Sequence, residues 1–138
     1  MSLLCFLYKE EHVATTVDCY NTVISTGGSI VYSNESMKHF HTNLQCKVIH
    51  LDITYNTFKE KVDKICFQSR GIVNPNNLNM KDFYFQRQNL YQLYSDVSIT
   101  MDDKGSGFKK LLNETYDIGN NMYGTKVDPK MLDNFTTI

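Results

Sequence analysis

The chain has 138 residues, 41% hydrophobic and 21% charged, which is enough for one ordinary soluble domain with one core and too little for two. Its 14 basic and 15 acidic side chains give a formal charge of -1, so no global field favours nucleic acid or an anionic membrane, and neither is an expected partner. The apolar start Leu3-Leu4-Cys5-Phe6-Leu7-Tyr8 breaks at Lys9-Glu10-Glu11, too short for a bilayer span and without the basic opening of a secretion signal, so a cytoplasmic protein is expected.

In chain order, Leu3, Phe6, Leu7, Val13 and Ala14 give Leu3 to Thr16 a loose helical pattern. Thr22 to Val31 reads as a strand, an abrupt turn at Gly27-Gly28 and a short extension. Apolar residues running into Thr26-Gly27-Gly28 suggest a buried strand opening onto a phosphate-sized crevice, because glycine lets a ligand approach the backbone with no Cβ in the way. Ser33 has the chemistry of an N-cap and predicts a short helix from Asn34 to His41. Cys46 to Ile53 reads as a second buried strand with Asp52 at its carboxyl end. A helix follows from Thr54, with Phe58, Val62 and Ile65 on one face.

Gln68 to Asn79 is polar, contains Gly71 and Pro75, and reads as a mobile loop. Asn79 caps the best helix of the chain, Met80 to Tyr94, which places Phe83, Arg87, Leu90, Tyr91 and Tyr94 at helical intervals. Asp96 to Met101 alternates apolar and polar side chains, as a third strand should. Gly105 and Gly107 interrupt the chain before an amphipathic helix from Phe108 to Tyr116. Alternating strands and helices predict an α/β fold, a parallel sheet with flanking helices, as a single domain over residues 1–117 followed by a loose tail over 118–138.

Arg70 and Arg87 follow the paired glycines at intervals that suggest an anion site. Arg87 also shares its helical stripe with Phe83 and Tyr91, so it could instead lay its stem along the core edge and snorkel; both readings stay open. His39, His41, Cys46 and His50 complete no familiar metal-ligand spacing, and no metal is expected. Cys66-Phe67-Gln68-Ser69-Arg70 sets a thiol near an arginine but lacks the glycines of a phosphatase loop, so Cys66 reads as a core thiol. With Cys5, Cys19 and Cys46, it makes four reduced, mostly buried cysteines. Asp102-Asp103 reads as the end of the third strand, and the nine Tyr and eight Phe as packing.

Taken together, these features resemble the shikimate kinase family over roughly Phe6 to Leu112. Val23-Ile24-Ser25-Thr26-Gly27-Gly28 is similar to the family's strand ending in Thr-Gly-Gly-Gly, and Val48-Ile49-His50-Leu51-Asp52 to its next strand. Arg70-Gly71-Ile72-Val73 sits where the family's lid carries Arg-Pro, and Arg87-Gln88-Asn89-Leu90-Tyr91 is similar to its Arg-x-Pro-Leu-Tyr segment. The resemblance implies ATP-dependent phosphorylation of a small hydroxylated carboxylic acid, with ATP and magnesium as cofactors. It gives Gly27 and Gly28 the substrate pocket, Arg70 a catalytic role on the ATP phosphates, and Arg87 the substrate carboxylate. Ser29, Gly71 and Asn89 depart from the pattern where the family has glycine, proline and proline.

Residues 1–138 contain no Gly-x-x-x-x-Gly-Lys-Ser/Thr loop. A partial fold lacking its first βαβ portion is therefore expected, inactive alone and binding ATP and magnesium weakly if at all. The resemblance places the missing first strand within the sheet, which favours self-association through an exposed sheet edge. The alternative is a non-catalytic small-anion-binding or oligomerising module derived from a kinase.

Overall fold

A computed structural model describes residues 2–63, 72–101 and 106–123. The chain divides into two units, Met1–Ser98 and Ile99–Ile138. In the first, α1 (Leu3–Thr16) starts at Ser2, whose hydroxyl accepts from the Cys5 N–H. A 3₁₀-helix (Gly28–Tyr32) runs into α2 (Asn34–Lys38), and Ser33 between them caps α2 by accepting from the Ser36 N–H at 3.0 Å, as its position predicts. The helix then widens into one π-turn over His39–Asn43. There the His39 ring bonds the Val17 carbonyl at 2.8 Å and the His41 ring bonds the Tyr94 carbonyl at 2.9 Å, so both serve as struts between segments.

Strand β1 (Ile49–Asp52), α3 (Tyr55–Asp63), α4 (Met80–Tyr94) and β2 (Val97–Thr100) follow. β1 and β2 form a two-stranded sheet. The Val48 carbonyl accepts from the Asp96 and Val97 N–H groups at 2.9 and 3.2 Å, and the His50 ring meets Ser98 at 3.3 Å, two residues further along both chains. The strands are therefore parallel, and helices flank them, as the α/β reading expects. Asp96 also reaches back: one carboxylate oxygen accepts from the Val48 N–H at 2.8 Å, and the other lies 3.6 Å from Lys47 Nζ.

The strand expected within Thr22 to Val31 does not form. Val23–Thr26 has no regular structure, and β1 takes β2 as its hydrogen-bonded neighbour. Without a partner, an extended segment leaves its backbone groups to water. The chain instead tightens after Gly27 into the 3₁₀-helix, which buries Ser29, Ile30 and Val31. Ile30 and Val31 join Ala14, Met37 and Phe40 in the main core cluster, with Ile24, Val48, Leu90, Tyr91 and Tyr94 packed against it. An aromatic group of Tyr55, Phe58, Phe83 and Tyr84 joins α3 to α4.

In the second unit, α5 runs Ser106–Tyr123, past the end expected at Tyr116. Gly107 lies close under the end of β2: an added Cβ would stand 2.6 Å from the Thr100 carbonyl oxygen. Cys5, Cys19 and Cys46 are free and half-buried rather than buried. Cys66, Arg70, Gly71, Asp102 and Asp103 lie outside the described residues, as does the first part of the expected Gln68 to Asn79 loop.

Candidate functional site

Helix α4 begins where Asn79 accepts from the Asp82 N–H at 2.9 Å, and this start sets which face of the helix carries Arg87. The Arg87 side chain points inward and is only 9% exposed. Its Nε donates to the Tyr32 hydroxyl at 3.2 Å, Nη1 to the Tyr91 hydroxyl at 3.0 Å and Nη2 to the Val73 carbonyl at 2.8 Å. The guanidinium carbon lies 4.9 Å from the ring centres of both Tyr32 and Phe83, within cation–π range. Among the described residues no carboxylate lies within ion-pair distance of it.

Of the paired glycines, Gly28 meets the same group. A Cβ placed on Gly28 would lie 2.7 Å from Arg87 Nη1 and 2.7 Å from the Tyr91 hydroxyl oxygen, so only glycine fits without displacing them. The Tyr91 hydroxyl donates in turn to the Gly28 carbonyl at 3.0 Å. At Gly27 the neighbour is a carboxylate: a Cβ there would stand 3.1 Å from Glu10 Oε1, which accepts from the buried Ser29 hydroxyl at 2.8 Å. Glu11 accepts likewise from Ser33 at 2.5 Å, so α1 fastens both ends of the 3₁₀-helix.

Behind Tyr91, the His50 ring packs at 4.6 Å between centres and at 30°. Burial holds the His50 imidazole below its ordinary range, against the opposing pull of Asp52. Asp52 accepts from Gln88 at 2.7 Å, and Tyr84, whose phenol is raised by burial and by Asp52, donates to the Ile53 carbonyl. A cavity of about 120 Å³ opens beside the cluster, lined by Leu7, Tyr8, Glu10, Glu11, Tyr32 and Ser33. It shares Tyr32 and Glu10 with the groups around Arg87 and the glycines but does not include Arg87. It is also smaller than the ~300 Å³ at which ligand pockets usually begin.

Of the residues singled out from sequence, Gly28 and Arg87 come together, Gly27 stands beside them against Glu10, and Arg70 lies outside the described residues. Sequence reading missed Tyr32, the Val73 carbonyl and Glu10, which arrive from the 3₁₀-helix, a loop and α1 with no local signal. Tyr91 was legible as a neighbour of Arg87, four residues on along the same helical face.

Chemically, the arrangement presents a permanent cation in a partly dry setting. Three of its five N–H groups are bonded to protein, and one on each terminal nitrogen is left over to donate to a carboxylate or phosphate. No curated protein and no solved structure matches the chain. The sequence profile of the family described as Shikimate kinase matches residues 6–116. That span includes the paired glycines, both strands and the whole of α4, and the chain belongs to the shikimate kinase family.

Proposed function

We propose that this chain carries the acid-binding side of an ATP-dependent kinase for a small hydroxylated carboxylic acid of the shikimate type, and that alone it is inactive. Arg87 takes the substrate carboxylate, and the backbone at Gly27 and Gly28 lines the substrate. Arg70 takes the nucleotide phosphates as the catalytic arginine. The reading rests on one observation above all: the buried Arg87 guanidinium has no carboxylate partner among the described residues and stands against Gly28. A cation buried in this way is stabilised by an anion brought from outside.

ATP and magnesium enter as the family's cofactors, and neither is expected to bind tightly to this chain alone. Among the described residues no group of three His, Cys, Asp or Glu side chains is placed to hold a metal ion. Residues 1–138 also lack a Gly-x-x-x-x-Gly-Lys-Ser/Thr loop to cradle the phosphates. Arg87 and the glycines hold the acid, and Arg70 acts on the nucleotide phosphates only where the missing cradle is supplied. No described helix is long and apolar enough to cross a membrane.

Titration calorimetry with shikimate tests this reading. Binding is expected for the unaltered chain and should weaken about tenfold or more in Arg87→Lys, because an ammonium cannot reproduce the bidentate fork. A coupled assay with ATP should show no turnover. Equal affinity of the two proteins for shikimate would remove Arg87 from the site, and turnover by the lone chain would overturn the inactivity.

A second reading, a non-catalytic anion-binding module that self-associates, is favoured by the two-stranded sheet, whose β1 carries the half-exposed Leu51. Anion binding without phosphoryl transfer, together with a dimer in light scattering, would distinguish it.

A further inference from the structure

We propose that Tyr91 is a positioning residue that fixes the Arg87 guanidinium and the Gly28 turn as one unit. The inference rests on the assignment of Arg87 to the acid. The phenol has a single proton, and Gly28 claims it: the hydroxyl donates to the Gly28 carbonyl at 3.0 Å. Its lone pairs are therefore left for Arg87, whose Nη1 donates to the same oxygen at 3.0 Å. The result is a directed relay, from guanidinium N–H to phenol oxygen to backbone carbonyl, in which each bond polarises the next.

Three further features make the phenol a fixed support. It lies four residues from Arg87 on one helix, so α4 itself holds the two side chains side by side. Its ring is backed by His50 on β1 at 4.6 Å and packs against the main core cluster, so it cannot swing away without disturbing the sheet side of the core. Finally, the space that a Gly28 Cβ would fill is occupied by the phenol oxygen and Nη1 together, each at 2.7 Å. Tyr32 and Val73 hold the other two nitrogens, but neither joins the guanidinium to the glycines. Tyr91 alone makes that connection among the described residues, so it decides how the clamp sits over the backbone that lines the substrate.

Tyr91→Phe removes one oxygen while keeping the ring, its tilted contact with His50 and the core packing. The chain has two arginines, so a nitrogen-resolved NMR spectrum contains two Nε–H signals, and Arg87→Lys assigns them. In the unaltered protein the Nη protons of Arg87 are expected to resolve separately, because rotation about its C–N bonds is blocked. In Tyr91→Phe the two Nη1 protons should average while Nη2, still held by Val73, stays resolved, and shikimate affinity should fall about tenfold with the near-ultraviolet spectrum of the fold retained.

Unchanged Arg87 signals and unchanged affinity in Tyr91→Phe would overturn the role of Tyr91, even where Arg87→Lys abolishes binding. Should Tyr91→Phe fail to fold, averaged Nη protons in the unaltered protein would overturn it independently. Failure of the unaltered chain to bind shikimate would instead strike the assignment of Arg87 to the acid, while the NMR signals still decide whether Tyr91 holds the guanidinium.

Discussion

Burying a guanidinium is costly, and Arg87 offsets the cost with three hydrogen bonds and two aromatic faces, the latter worth roughly 0.5–2 kcal/mol each. Because the Arg87 and Tyr91 ends are tethered at 2.7 Å from the Gly28 Cβ position, a methyl group there must push both aside. Gly28→Ala is therefore expected to lower stability by about 1–3 kcal/mol in urea denaturation and to abolish shikimate binding. Gly27→Ala meets only the half-buried Glu10 carboxylate at 3.1 Å and should lose less of both. A Gly28→Ala protein that binds like the unaltered chain would show that the close approach has no functional weight. At this scale the sequence revealed the residues with unusual chemistry, the glycine pair and the arginine. It could not reveal Tyr32, Glu10 or the Val73 carbonyl, because these reach Arg87 and the glycines across 14 to 55 positions of chain or from a different helix, and nothing local marks them.

At the scale of elements, end signals decided what was legible. Asn79 marks the start of α4 because its side chain both accepts from the Asp82 N–H and donates to the Asp82 carboxylate, at 2.9 and 2.6 Å. Asn79→Ala is expected to lower stability by about 1 kcal/mol in thermal or urea unfolding; no measurable loss would mean that water replaces the cap without penalty. Ser33 marked α2 in the same way, although the helix then widened at His39 and His41, whose rings bond carbonyls far away in the chain. Those tertiary demands are invisible in local pattern. The segment Val23–Thr26 misled for the opposite reason. Its apolar residues favour a strand, but strand structure requires a hydrogen-bonded neighbour, and β1 pairs with β2 instead. The run around β1 reads as longer than the strand's four residues because apolar Val48, just before it, also packs against the core and bonds to Asp96 and Val97.

For the molecule as a whole, two short parallel strands cannot supply a stable core, so stability in the first unit resides in the helical cluster from Ala14 to Phe40 and in α4 docked on it. His50 links that core to pH. Burial lowers its folded-state value below the ordinary one near 6.5, Asp52 opposing, so the unfolded chain takes up the proton first as pH falls. The contribution of neutral His50 is then fully present above about 6.5 and is lost as pH drops through the lowered folded value. Urea denaturation across this acid range should show stability falling in the unaltered protein and a flatter profile in His50→Gln. Identical slopes would show that His50 is not the group responsible.

Parallel strands come without a hairpin to set their register, and Asp96 supplies the missing gauge. Its carboxylate stands in for a backbone acceptor only when residue 96 faces residue 48. A slip by one position would break that clasp, release Lys47 and turn the β1 side chains over, so that His50 would leave the ring of Tyr91 and Leu51 would face inward. One surface aspartate thus helps keep the inner and outer faces of the sheet from being exchanged, and with them the wall against which α4 rests.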